Sequence, residues 1–154
     1  MADLLDCISK VSSALLTPVL AIVGTSVVVN QYRLQRWRWK LDLYDKRYPV
    51  FISTMEYISG IVQNHNVTND LLFTFLRDSK DKEFLFGEDI KNHLENLYKK
   101  GLDLQLIEIE LQPEPVGDKR TQMVKQSSEI ASWFSDQFEV TKRFFGEYLS
   151  IDKK

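Results

Sequence analysis

Apolar and charged residues divide this chain into a short charged start, one long uncharged run and a body of amphipathic stretches. Residues 11–32 form a run of 22 positions without Asp, Glu, Lys or Arg. At about 1.5 Å per residue, a helix of this length reaches roughly 33 Å and can cross the hydrocarbon core of a bilayer. The pattern predicts a transmembrane helix over 11–32, with a buried core helix of a soluble domain as the alternative.

The residues that follow the run are basic and aromatic, which is typical of a helix leaving a membrane. The predicted membrane-interface residues are Tyr32, Arg33, Arg36, Trp37, Arg38, Trp39 and Lys40. The cations among them are expected to meet anionic lipid headgroups. A core helix of a soluble domain does not need a basic and aromatic end. The residues that follow the run therefore favour a transmembrane helix, with the lipid bilayer as its partner.

The start of the chain bears on the orientation of this span. Residues 1–10 carry Asp3, Asp6 and only Lys10, so they lack a basic leader, and no Ala-x-Ala cleavage site closes the run. We expect an uncleaved single-pass protein, with 1–10 as a short extracytoplasmic tail. The basic cluster places 33–154 in the cytoplasm as a helical domain.

Small residues recur along the predicted span at helical spacing. The stripe consists of Ala14, Thr17, Ala21, Gly24 and Thr25. Small residues three or four apart allow helix backbones to approach closely in lipid. Two interpretations remain open: an ordinary, moderately apolar anchor, or a helix-packing face of a homo-oligomer.

A long juxtamembrane helix is predicted over 33–64, with a kink near Pro49. Its apolar positions alternate in steps of three and four, as in a helix with a seam. The seam consists of Leu34, Trp37, Leu41, Tyr44, Tyr48, Phe51, Met55, Ile58 and Val62. It either packs on the domain's own helices or forms a coiled-coil contact with a second copy.

Three further helices are predicted from apolar periodicity and capping residues. They span 70–77, 88–111 and 118–145. Asp78 to Glu83 is expected to be a solvated loop, Gly101 a close helix crossing, and Gly146 a stop signal. Since no stretch alternates with period two, the fold class is all-α: one N-terminal transmembrane helix continuing into a three- or four-helix cytosolic bundle.

The charge balance of the body disfavours nucleic acid as a partner. Residues 41–154 hold 15 Lys and Arg against 20 Asp and Glu. A surface that follows phosphates needs a cationic face, and the basic charge here is concentrated before residue 41. Cys7 is the only cysteine, so no intrachain disulfide can form.

A search for catalytic and metal-ligating patterns predicts neither a catalytic site, a metal site nor a cofactor. The chain has two histidines, His65 and His93. Glu88, Asp89 and His93 can share one helix face, but a single such turn is a weak indication of a metal site. Glycine-rich phosphate loops and nucleophile motifs are absent from the sequence. We therefore expect a protein that is not an enzyme.

Four segments resemble a group of uncharacterised single-pass bacterial membrane proteins. The segments are Lys-Leu-Asp-Leu-Tyr-Asp-Lys-Arg-Tyr at 40–48, Phe-Leu-Phe-Gly at 84–87, Trp-Phe-Ser-Asp-Gln-Phe at 133–138 and Phe-Gly-Glu-Tyr-Leu at 145–149. They occur in the same order and at similar spacing. The resemblance implies a protein of the bacterial inner (plasma) membrane with a cytosolic helical domain, and it implies no activity, substrate or cofactor.

Two functions agree with these sequence patterns. The first is a membrane-anchored interaction or scaffold protein, whose bundle docks on itself or on an unknown protein partner through apolar helix faces. The second is a homo-oligomeric membrane effector or pore-forming protein. Its pore would be lined by Ser13, Thr17, Ser26 and Asn30, without an ionisable group. A membrane-tethered enzyme built on Glu88, Asp89 and His93 is disfavoured.

Overall fold

The computed structural model describes the backbone of residues 2–150 and the side chains of residues 25–150. All regular structure in this part of the chain is helical, and no strand occurs in it. The helices are α1 (Ala2–Asn64), α2 (Asn69–Asp78), α3 (Lys82–Leu85), α4 (Glu88–Leu111) and α5 (Asp118–Leu149). The predicted all-α class is confirmed.

The chain divides into two compact units, Met1–Asp42 and Leu43–Lys154. Among the described residues, no helix is both long and apolar enough to cross a bilayer. The predicted span over 11–32 falls largely on residues 11–24, whose side chains lie outside the described part. The same is true of the tail 1–10.

The second unit begins with the last turns of α1, which continue through Pro49 without a break. The buried face of these turns is formed by Val50, Thr54, Tyr57, Ile58 and Ile61. Their spacing of three or four residues keeps them on one side of the helix. Thr54 fits this face because its hydroxyl donates to the carbonyl of Val50 at 2.7 Å, which satisfies the buried polar group.

The turn after α1 and the start of α2 are set by local capping. His65 adopts a left-handed conformation with φ 49°, which ends α1. The Thr68 hydroxyl then accepts the backbone N–H of Leu71 at 3.2 Å, which makes Thr68 the N-cap of α2. The solvated loop predicted over Asp78 to Glu83 is shorter in the structure, because Lys82–Leu85 forms the short helix α3.

Helices α4 and α5 supply most of the remaining core. The buried apolar residues of α4 are Ile90, Leu94, Leu97 and Leu104, and those of α5 include Phe134 and Phe145. Helix α5 continues to Leu149, so the predicted stop at Gly146 is wrong. Tertiary contacts explain the extension, because Tyr148 and Leu149 pack against the core and hold the last turn.

Tyr57 lies at the centre of this core and is 1% exposed. Its ring stacks on Phe75 with centroids 4.2 Å apart, and meets Phe134 edge-on at 6.1 Å. Its hydroxyl lies over the backbone of Gly101, where an added Cβ would overlap it. Gly101 therefore leaves room for the Tyr57 side chain of α1 beside α4.

Candidate functional site

The predicted membrane-interface segment, residues 32–40, lies in the first unit and presents its side chains to the surroundings. Tyr32 is 67% exposed and Trp39 is 72% exposed. The Lys40 ammonium lies 5.9 Å from the centre of the Trp37 ring, within the range of a cation–π contact. Residues 33, 36 and 38 are exposed arginines. Cations and aromatic rings therefore share this surface.

The structure describes the side chains of only some residues in the predicted small-residue stripe, and of all residues in the predicted seam. Of the small-residue stripe, Ala14, Thr17, Ala21 and Gly24 lie outside the described side chains, and Thr25 is exposed. Of the predicted seam, Ile58 is buried. The partly buried seam residues are Tyr44, Phe51, Met55 and Val62, and the exposed ones are Leu34, Trp37, Leu41 and Tyr48.

The guanidinium of Arg47 connects separate segments of the second unit. Its Nε donates to the carbonyl of Leu85 at 2.9 Å, and Nη1 donates to the carbonyl of Tyr148 at 3.2 Å. Its carbon lies 5.2 Å from the Tyr148 ring and 5.8 Å from the Phe86 ring. One arginine thus joins α1, the end of α3 and the last turn of α5.

Tyr148 extends this arrangement to the start of α4. Its hydroxyl donates to Asp89 Oδ1 at 2.7 Å and accepts the backbone N–H of Gly87 at 3.1 Å. The hydrogen bond from Tyr148 lowers the pKa of the Asp89 carboxyl, and the same bond raises the pKa of Tyr148. We call Arg47, Phe86, Gly87, Asp89 and Tyr148 the Arg47 cluster.

Aromatic packing lies directly beneath the Arg47 cluster. Phe145 contacts Phe51 at 5.4 Å and Phe86 at 5.2 Å between ring centres. Three of the four segments on which the resemblance rests, 40–48, 84–87 and 145–149, contribute to this region. The polar groups of the cluster form hydrogen bonds with one another or with backbone carbonyls. The cluster therefore acts as a clasp, meaning a set of hydrogen bonds that holds the helices together.

Removing the Tyr148 hydroxyl tests how much this clasp stabilises the unit. Tyr148→Phe keeps the ring near Arg47 but deletes both hydrogen bonds, so the free energy of unfolding should fall by about 1 kcal/mol. Tyr44→Phe is the control, because its ring stacks on Tyr48 without a hydrogen bond from its hydroxyl in the described part of the chain. Urea unfolding followed by circular dichroism measures both; equal effects would show that the Tyr148 hydroxyl contributes nothing specific.

The structure separates the three residues considered for a metal site. Glu88 accepts from Lys91 at 2.5 Å, whereas Asp89 accepts from Tyr148. His93 is buried and hydrogen-bonded to the Thr141 hydroxyl at 2.8 Å. No group of three or more metal-ligating side chains occurs among the described residues. His65 is exposed in the turn after α1.

Comparison with known proteins adds no homologue to this description. Neither a family model, a curated protein nor a solved structure matches the chain.

Proposed function

We propose that this protein is a membrane-anchored helical interaction module, with residues 11–32 as its anchor and the unit Leu43–Lys154 as its docking body. The observation that carries the proposal is the exposed segment 32–40, in which cations and aromatic rings directly follow an uncharged run of membrane-spanning length. The proposed location is the inner membrane of a bacterium, with the N-terminus outside.

The side chains of this segment match the chemistry of a bilayer interface. Trp and Tyr rings prefer headgroup depth, where one edge is apolar and the other is hydrated. Each Lys or Arg near an anionic surface contributes about 1 kcal/mol of attraction. The body is net acidic, so anionic lipid would attract the segment and repel most of the remaining surface.

Membrane insertion can be tested by placing charge in the run. Val19→Glu combined with Val23→Glu should move the full-length protein from the carbonate-washed membrane fraction to the soluble fraction, since each buried charge costs about 2.5–3.5 kcal/mol. The control places the same two charges at Phe84 and Val116, which are exposed in the body. Retention of the run variant in the membrane would contradict the anchor.

Cys7 offers a direct test of orientation because it is the only cysteine. A membrane-impermeant maleimide should label it in intact spheroplasts. In a Cys7→Ser, Ser128→Cys variant, labelling should require lysis, because Ser128 is an exposed residue of the proposed cytoplasmic body. The reverse pattern would overturn the proposed topology.

The mass of the full-length protein in detergent separates this function from the membrane effector. A monomer, with residues 33–154 also monomeric, agrees with an anchored module that docks on another protein. A closed oligomer that requires 11–32 would favour the effector, and ion leakage on expression would then be the next measurement.

A further inference from the structure

An open groove runs between α4 and α5 on the second unit, with a volume of about 440 Å³. Ile107 and Ile130 line it on opposite helices, together with Leu106, which is 57% exposed. Asp103 on α4 and Glu129 on α5 also line the groove, together with Lys100 and Gln126. The groove therefore combines apolar side chains with one carboxylate from each of the two helices.

The groove lies along a part of the helix pair that has little covering from the rest of the unit. We call residues 105–130 the α4–α5 arm. Within it, Met123 is the one buried apolar residue, whereas Ile109 is 59% exposed. Gln105, at the base of the arm, donates to the carbonyl of Val67 before α2 and to Asn69 Oδ1 at the start of α2. A helix pair covered this sparsely leaves apolar surface available to a partner.

The charge of this region indicates the chemistry of that partner. Residues 100–130, the range that includes every groove-lining residue, carry six carboxylates against four cations. Two of the cations are engaged locally: Arg120 donates to the carbonyls of Leu111 and Glu114, and Lys119 donates to the Glu114 carboxylate. Lys125 lies 3.9 Å from Glu129, a contact between exposed groups that is worth little.

The carboxylate of Asp103 forms no salt bridge within the described part of the chain. Lys100 is the one cation among the residues that line the groove. The surface around the apolar strip is therefore net acidic and incompletely neutralised. A second copy of this chain would bring the same acidic side chains, so like-charge repulsion opposes self-association through this face.

We propose that the groove binds a basic amphipathic helix of a partner protein. A third helix can lie along the groove between two neighbouring helices, with apolar side chains at i, i+3 or i+4, and i+7 over Leu106, Ile107 and Ile130. Its Lys or Arg residues would meet Asp103 and Glu129. The inference rests on the proposed function because it names the class of partner that the docking body takes.

Binding can be measured with the full chain in a zwitterionic detergent and a labelled 18-residue peptide of Leu and Lys in a helical pattern. Fluorescence anisotropy should show saturable binding that weakens with salt. A peptide with Glu at every Lys position should not bind. Empty micelles provide the baseline for both peptides.

Two variants with the same change of net charge decide whether the groove is the site. Asp103→Lys with Glu129→Lys should weaken binding roughly tenfold or more. Glu56→Lys with Glu147→Lys, at exposed positions outside the groove, should leave the dissociation constant within about twofold. Equal weakening in both variants would show that the peptide is held by non-specific charge attraction. No weakening in the Asp103→Lys, Glu129→Lys variant would show that the peptide binds elsewhere. Either result overturns the proposal.

A third variant tests the apolar contact and the competing occupant. Leu106→Ser should weaken peptide binding without changing the mass of the particle in detergent. If the full chain is a dimer that Leu106→Ser converts to a monomer, the face is a contact between copies and the proposal fails. The membrane anchor is tested separately by membrane fractionation. A negative result for peptide binding to the groove therefore does not contradict the proposed anchor.

Discussion

Replacing Gly101 with alanine should lower the free energy of unfolding by about 2 kcal/mol, although alanine is the better helix former. The added Cβ would overlap the Tyr57 hydroxyl and lie 3.1 Å from Tyr57 Cζ. Tyr57 has no room to move away, because its ring is stacked on Phe75 and is nearly inaccessible to solvent. Overpacking of this kind costs about 1–3 kcal/mol, which exceeds the gain of up to about 1 kcal/mol in helix propensity.

Tyr57→Phe should remove most of this cost. The hydroxyl is buried and has no hydrogen-bond partner in the described part of the chain, and burial raises its pKa, so it remains protonated. Deleting it should change stability by less than about 1 kcal/mol, because no hydrogen bond is lost. In the Tyr57→Phe background, Gly101→Ala should cost about 1 kcal/mol or less, giving a coupling of roughly 1–2 kcal/mol between the two positions.

Gly146→Ala is the matched control for Gly101→Ala. Gly146 also lies within a helix, but apart from its chain neighbours and the backbone of its own helix, no described atom lies within 4 Å of its added Cβ. Here the substitution should stabilise the unit by about 0.5–1 kcal/mol. Urea unfolding of the four variants and the parent measures the set; a Gly101→Ala cost that is the same in the parent and in the Tyr57→Phe background would contradict the proposed overlap.

Lowering the pH from 7 to 4 should destabilise the second unit by about 2–3 kcal/mol through His93 alone. Burial lowers the pKa of His93 from 6.5 to about 4, because the charged imidazolium is poorly solvated between α4 and α5. Between these two values the unfolded chain binds a proton that the folded chain does not. This stability is therefore fully present above pH 6.5 and is lost as the pH falls towards 4.

His93→Gln isolates this contribution, since glutamine can keep a hydrogen bond to Thr141 without titrating. Its unfolding free energy should fall less steeply between pH 6.5 and 4 than that of the parent protein. His65→Asn is the control: His65 is exposed and asparagine accepts its left-handed backbone conformation, so the parent slope should persist. Identical slopes for His93→Gln and the parent would show that His93 is not buried in its neutral form.

The helical body was predictable because its signals are local. Helix α4 occupies the predicted range 88–111, and α5 begins at the predicted residue 118. The end of α5 was not predictable from the same signals. Gly146 has the conformational preference of a stop signal, but the contacts of Tyr148 with Arg47 and Asp89 continue the helix for another turn.

The buried face of α1 illustrates a different limit. The predicted seam follows the largest apolar side chains, including Tyr48 and Met55, whereas Thr54 is fully buried. A hydrophobic pattern does not include Thr54 because its side chain has a polar hydroxyl. In the structure this hydroxyl donates a hydrogen bond to the carbonyl of Val50, so it can be buried at little cost. Small polar residues with local partners can therefore occupy core positions that the pattern assigns to solvent.

The Arg47 cluster had no sequence signal that could bring its members together. Arg47 and Tyr148 are 101 residues apart, and Gly87 and Tyr148 are 61 apart. Charge patterning relates residues only within a few turns of one helix, so it does not pair Arg47 with Tyr148. Three segments of the resemblance contribute to this region, but their order along the chain does not indicate that they meet.

The long separation between Arg47 and Tyr148 also determines when the unit can finish folding during synthesis. The helix that carries Arg47 leaves the ribosome early, but its partner carbonyl follows 101 residues later. Until then Phe51 and Phe86 lack Phe145, the ring they share. Closing such distant contacts is a late and slow event in folding. The Phe51 ring therefore lacks this partner until Phe145 has been synthesised, an interval in which a chaperone can bind the uncovered ring.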